Sequence, residues 1–123
     1  AESELTAVVE ELSSELKETA HRDFRLIMFP VSENMKYSVF QVSLDTDENK
    51  DDADAIKICY FKISSKGFPI EEGAYRKQIE QWTPTSQMKS REDIENFFKE
   101  MIGNPDSSFV QAIGFAIRQK KGE

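Results

Sequence analysis

The sequence predicts an α+β fold, in which an antiparallel meander of three or four strands is packed by an N-terminal helix and two C-terminal helices. Three observations lead to this prediction. Apolar residues recur at helical spacing at both ends of the chain, and the middle contains short runs rich in β-branched and aromatic residues. The strands also precede the later helices instead of alternating with them. We therefore expect the order α-β-β-β-(β)-α-α in a single globular domain spanning residues 1–123.

The first helix is predicted over residues 3–20, where apolar side chains recur every three or four residues among glutamates. Glu2 and Glu4 lie near its positive end and Lys17 near its negative end, which complements the helix dipole. A narrow apolar seam of this kind fits a sheet or a twin helix equally well. The seam consists of Leu5, Val8, Val9, Leu12 and Leu16.

Three strands are predicted over residues 24–31, 36–44 and 56–63. The first is a dense apolar run that ends near Pro30, and the second alternates with a period of two. The third is again a short apolar run with side chains on both faces. The first and third carry apolar residues on both sides. A sheet with one solvated side should alternate more cleanly, so we expect both of its faces to be covered, one by the C-terminal helices and the other by the N-terminal helix or by another chain.

Residues 74–82 leave two alternatives open. Tyr75, Ile79 and Trp82 have the i, i+4, i+7 spacing of a helix, whereas a fourth strand would complete the meander. Residues 83–87 contain a proline between threonines and are interpreted as a loop.

Two helices are predicted at the C-terminal end. Ser90 and Asp93 match a capping pattern that opens the first, and Gly103 and Pro105 end it. The second is predicted over residues 107–119, although local alternation keeps a terminal strand as an alternative.

Composition excludes several classes of function. The chain has 16 Lys and Arg against 23 Asp and Glu, a formal net charge of −7, and no basic block. Binding to nucleic acid or to an anionic membrane surface needs concentrated positive charge, so neither is expected. No apolar run approaches the roughly 18 residues that a membrane span needs. The single cysteine, Cys59, cannot form an internal disulfide, which favours a cytoplasmic location.

The acidic segment that begins at Asp45 contains oxygen ligands at the first, third and fifth positions of a calcium loop, Asp45, Asp47 and Asn49. The sixth position should be glycine but is Lys50, and the twelfth should be glutamate but is Ile56. We therefore predict no specific calcium site.

No catalytic residue, cofactor site or metal ligand can be assigned from the sequence. His21 is the only histidine and falls near the end of the first helix, where it complements the dipole. Cys59 lies mid-strand among apolar neighbours, which is typical of a packing residue and not of a nucleophile. The glycines do not cluster into a phosphate-binding loop. The chain is therefore more consistent with a protein that is not an enzyme.

The sequence favours a non-enzymatic protein-interaction or adaptor domain, with a protein partner or self-association. The alternative from another class of function is a small enzyme or ligand-binding protein with a pocket near the sheet. The candidate interaction surface combines the helix seam with a possible aromatic platform. Its residues are Leu5, Val9, Leu12, Leu16, Tyr75 and Trp82.

A turn containing an aromatic-proline pair, Gly67-Phe68-Pro69, follows the third predicted strand. Together with the N-terminal helix, the meander and the C-terminal helices, it resembles the arrangement of RWD and ubiquitin-conjugating domains. The sequence lacks the second proline of that pattern and has no His-Pro-Asn segment with a catalytic cysteine after the fourth strand. The resemblance therefore implies a catalytically inert interaction module.

Overall fold

The computed structural model describes residues 1–20, 24–45 and 55–121, with the backbone alone for residues 19–20 and 119–121. The strands form one antiparallel sheet, in which each strand lies beside its neighbours in chain order. This confirms the predicted α+β class, with a sheet of five strands. The elements are α1 (Glu2–Ala20), β1 (Arg25–Glu33), β2 (Tyr37–Asp45), β3 (Ile56–Ser64), β4 (Gly67–Arg76), β5 (Gln81–Met88), α2 (Arg91–Gly103) and α3 (Ser108–Lys121).

The fifth strand arises where the sequence was ambiguous. β4 continues to Arg76, a single 3₁₀ turn spans Lys77–Ile79, and β5 then pairs back along β4. The interpretation of residues 83–87 as a loop is wrong, because they belong to β5. Pro84 is compatible with this strand because β5 lies at the edge of the sheet, where one side of the backbone needs no ladder hydrogen bond.

All three described helices pack on one side of the sheet. Side chains from α1, α2 and α3 share a single buried cluster with strand residues such as Val42 and Ile70. In the centre of that cluster, the Phe61 ring of β3 meets the rings of Phe97 and Phe98 of α2, with centroids 5.7 and 5.8 Å apart. Within the described chain, helices therefore cover only one of the two faces, and the alternative that the N-terminal helix covers the other is wrong.

The opposite side of the sheet, which we call the open face, follows from the strand register. Antiparallel partners point to the same side, and successive residues along a strand point to opposite sides. The pairs Val39 with Lys62 and Tyr75 with Trp82 thus lie on the side away from the Phe61 cluster. The apolar and aromatic residues of the open face are Ile27, Phe29, Tyr37, Val39, Tyr60, Tyr75 and Trp82.

Both edge strands are protected against pairing with another strand. In β1, the Leu26 amide donates to the Ser13 hydroxyl of α1 at 2.9 Å, and Pro30 has no amide hydrogen to offer. In β5, Pro84 likewise has no amide hydrogen to offer to another strand. Such devices disfavour extension of a sheet from its edges.

The C-terminal helices form as predicted. The Ser90 hydroxyl accepts a hydrogen bond from the Asp93 amide at 3.3 Å and so caps α2. α3 is a helix and not the alternative strand. None of the helices in the described ranges combines the length and apolar character needed to cross a bilayer.

Candidate functional site

The apolar seam of α1 lies in the protein's own core. Leu5, Val9 and Leu12 are 0, 3 and 9% exposed, and Leu16 is half-buried against the same cluster. The helix therefore uses its seam to cover the sheet. Leu5, Val9 and Leu12 are therefore not accessible on the folded chain, and Leu16 is only partly accessible.

The other two predicted residues lie on the open face. Tyr75 and Trp82 are directly opposite each other across β4 and β5, on either side of the turn at Lys77–Ile79. The ring of Tyr60, on β3, meets that of Tyr75 edge-on with centroids 5.9 Å apart. Three aromatic side chains thus form a row across three neighbouring strands. The sequence showed the Tyr75 and Trp82 pair, but only the register adds Tyr60.

Lysines lie among these rings. The Lys62 ammonium is 4.4 Å from the centroid of the Tyr37 ring and 4.0 Å from the Glu71 carboxylate. The Lys57 ammonium is 5.1 Å from the centroid of the Tyr60 ring. Cation–π contacts of this kind hold the lysine stems flat against the aromatic surface.

The open face is therefore partly shielded by its own side chains. Val39, directly opposite Lys62 in register, is 0% exposed even though no described helix covers it. Trp82 Nε1 is buried and has no hydrogen-bond acceptor among the residues that the structure describes. A buried indole N–H normally has a partner, so this atom is an unsatisfied donor within the aromatic row.

The acidic segment is described only at its start. The Asp45 carboxylate accepts a hydrogen bond from Arg25 Nε at 2.7 Å and is almost fully buried, so its charge is already compensated within the chain. Asp47, Asn49 and Lys50, like His21, lie outside the described residues. The calcium prediction for this segment stays a prediction.

A cleft of about 650 Å³ lies where β3 and β4 approach the connection between α2 and α3, and Tyr60 and Tyr75 are among its lining residues. Its polar groups are largely engaged by the protein itself. The hydroxyl of Ser107 donates to the Met101 carbonyl at 2.6 Å, and that of Ser108 donates to the Ile58 carbonyl at 2.7 Å. Ser108 thereby ties the start of α3 to β3, and Ser107 ties it to the end of α2.

Cys59 and Glu72 are the two groups with altered acidity at this cleft. Burial raises the pKa of the Cys59 thiol, and the Glu72 charge raises it further. A nucleophilic cysteine needs the opposite shift, because the thiolate is the reactive form. Burial also raises the pKa of Glu72, while the Ser86 hydroxyl opposes this shift by donating to the carboxylate at 3.3 Å. The cleft therefore holds a thiol that stays protonated beside a carboxyl group whose pKa is raised.

The raised pKa of Glu72 predicts a stability that depends on pH. The folded chain holds this proton more tightly than the unfolded chain, so the contribution is complete below the ordinary value of 4.5 and is lost as pH rises through the raised pKa. Glu72→Gln should therefore raise the free energy of unfolding at pH 7 by less than about 1 kcal/mol, since solvent screens a half-buried group. Urea unfolding at pH 4 and pH 7 measures the difference.

A matched variant tests the cause of that dependence. Ser86→Ala removes the hydrogen bond that favours the charged carboxylate, so stability should fall more steeply between pH 4 and pH 7 than in the parent chain. If Glu72→Gln leaves a pH profile parallel to that of the parent, the burial of Glu72 does not have the predicted effect.

Comparison with known proteins adds no assignment to this geometry. No protein family, no curated protein and no solved structure matches the chain. Within the described ranges, no three His, Cys, Asp or Glu side chains approach closely enough to hold a metal ion together.

Proposed function

We propose that this chain is a non-enzymatic protein-interaction domain that binds its partner through the open face of the sheet. The observation that carries the proposal is the aromatic row of Tyr60, Tyr75 and Trp82 on a side that none of the described helices covers. Aromatic side chains dominate the energetics of protein interfaces because they bury a large area with few rotatable bonds.

The remainder of the open face supports the same function. Phe29 and Ile27 on β1 carry apolar side chains to the far edge of the sheet, opposite Gln41 and Ser43 of β2, and Tyr37 lies further along β2. The protected edges direct a partner to the face and away from strand addition. A cytoplasmic setting and a protein partner, not a nucleic acid, complete the proposal, on the grounds of the single cysteine and the charge of −7.

Ligand binding at the cleft is the second candidate. Its volume of about 650 Å³ lies within the range of small-molecule sites. Engagement of Ser107 and Ser108 with the backbone and the protonated state of Cys59 make it a weaker candidate than the open face. An RWD-like module without catalysis would act in the same way as the first proposal.

The proposal is tested by placing one substitution on each side of the sheet. Phe29→Lys puts a charge on the open face, and Phe115→Lys makes the same change on α3, where Phe115 is 46% exposed. Affinity capture from the native host with each chain as bait, followed by quantitative mass spectrometry, compares them. We expect Phe29→Lys to reduce the specific partners by about tenfold or more and Phe115→Lys to retain them.

Far-ultraviolet circular dichroism of both variants establishes that each is folded before capture. Equal recovery of the same partners by Phe29→Lys and the parent chain would show that the open face is not the binding surface.

A further inference from the structure

We propose that the partner of the open face is a second copy of this chain, packed sheet against sheet about a twofold axis; this inference rests on the proposed function of that face. The observation that points to a second copy is the central charge pair of Lys62 and Glu71. In a twofold interface the same surface of both copies is in contact. If one residue of the first copy contacts a second residue of the other copy, the reverse contact is also made.

Lys62 and Glu71 meet this requirement by their position. They lie directly opposite each other on β3 and β4, on the open face, with the ammonium and carboxylate 4.0 Å apart. A twofold axis that runs between these strands, in the plane of the interface, places each Lys62 over the other copy's Glu71. The same rotation keeps positions along the strands, so it places Trp82 on β5 over the part of β2 near Ser43.

The distribution of charge favours this arrangement over other contacts between copies. The exposed side of α1 is acidic, with Glu10, Glu11 and Glu15 all exposed, so the α1 surfaces of two copies repel each other. The open face carries both signs, and its acids Asp45 and Glu71 each contact a base of the same chain. Packing of the two open faces places the acidic α1 helices on opposite outer sides of the dimer.

The area of the face is also sufficient. The four strands that this axis superposes, β2 to β5, have eight to ten residues each and form a surface of roughly 20 Å by 30 Å. Because side chains make the surface uneven, its accessible area exceeds this flat estimate and is comparable with the approximately 800 Å² per partner buried in a stable interface. Two antiparallel sheets that pack face to face lie about 10 Å apart, with the side chains of their inner faces interdigitated.

The expected roles of the residues differ. The aromatic side chains supply affinity by leaving water, whereas the Lys62 and Glu71 contacts supply register and specificity, because the desolvation of an interfacial ion pair offsets much of its attraction. Reversal of one charge would place like charges in contact at both of the symmetry-related contacts between Lys62 and Glu71.

A charge-swap experiment tests the proposal in purified chain. Sedimentation equilibrium of the parent should give about twice the chain mass of 14.1 kDa. Lys62→Glu and Glu71→Lys should each weaken association on the order of a hundredfold. A mixture of the two variants should again form a dimer, because each then supplies the charge that the other needs. The double variant K62E/E71K should also recover self-association.

Two controls make the same charge changes on the helix layer. Lys99→Glu on α2 and Glu10→Lys on α1 alter exposed side chains and should leave the dimer intact. Trp82, the only tryptophan in the chain, reports the state of the face directly, and its emission should shift on dilution of the parent but not of Lys62→Glu.

Each other outcome overturns the inference. A parent chain that stays monomeric up to about 100 µM excludes the second copy as partner. A dimer that both single reversals leave intact, or a mixture that does not reassociate, excludes the paired contact. If the parent is monomeric and Phe29→Lys still loses its captured partners while Phe115→Lys keeps them, only this inference fails and the proposed function stands.

Discussion

Phe61→Ala should lower the free energy of unfolding by about 3 to 5 kcal/mol, because truncation of a buried phenylalanine adds a cavity to the loss of hydrophobic transfer energy. Phe61 is 0% exposed and lies on the central strand. Its ring contacts Phe97 and Phe98, which in turn contact each other with centroids 5.4 Å apart. The substitution therefore removes the side chain through which β3 and α2 pack.

Urea unfolding followed by far-ultraviolet circular dichroism measures the change. Phe115→Ala is the matched control, since it makes the same substitution at a side chain that is 46% exposed on α3. The control should change the free energy of unfolding by less than about 1 kcal/mol. A loss below about 1 kcal/mol for Phe61→Ala would show that the contact between β3 and α2 is not part of a close-packed core.

The elements with strong periodicity were predictable from the sequence. Helical spacing defined α1, and the capping pattern at Ser90 defined the start of α2, because both signals depend on neighbours within a few residues. The fifth strand was not predictable in the same way. Tyr75 and Trp82 are seven residues apart and mimic one face of a helix, but a turn at Lys77–Ile79 brings them opposite each other on two strands.

The open face was the least predictable feature. Strands β1 and β3 carry apolar residues on both sides, which is typical of a covered strand. The sequence pattern shows that both sides of these strands are apolar, but it does not determine which side of the sheet each helix covers. The seam of α1 illustrates the same limit, because Leu5 and Leu12 could pack on a sheet of their own chain or on a partner. Only tertiary packing assigned them to the core and left Tyr60, Tyr75 and Trp82 on the other side.

Sequence inspection also gave no reason to single out Gly73, which the structure identifies as a close approach between backbones. Gly73 lies opposite Pro84 where the register of β4 and β5 shifts at a bulge. A Cβ atom at this position would overlap the Thr83 carbonyl oxygen and lie 2.9 Å from the Pro84 Cα atom. Both neighbours are backbone atoms, so neither can rotate away as a side chain would. Glycine is thus required here by space and not by a left-handed conformation.

Gly73→Ala should therefore lower the free energy of unfolding by about 2 to 3 kcal/mol, because relief of the overlap requires β4 and β5 to separate. Gly103→Ala is the matched control, since a Cβ atom at the end of α2 meets nothing within 4 Å. Urea unfolding gives the free energies, and the emission of Trp82, next to Thr83 on β5, reports the local change. A red shift in the folded Gly73→Ala variant is expected because separation of the strands admits water to the indole. If both glycine variants unfold at the same urea concentration as the parent, the strands do not approach as closely as the structure indicates.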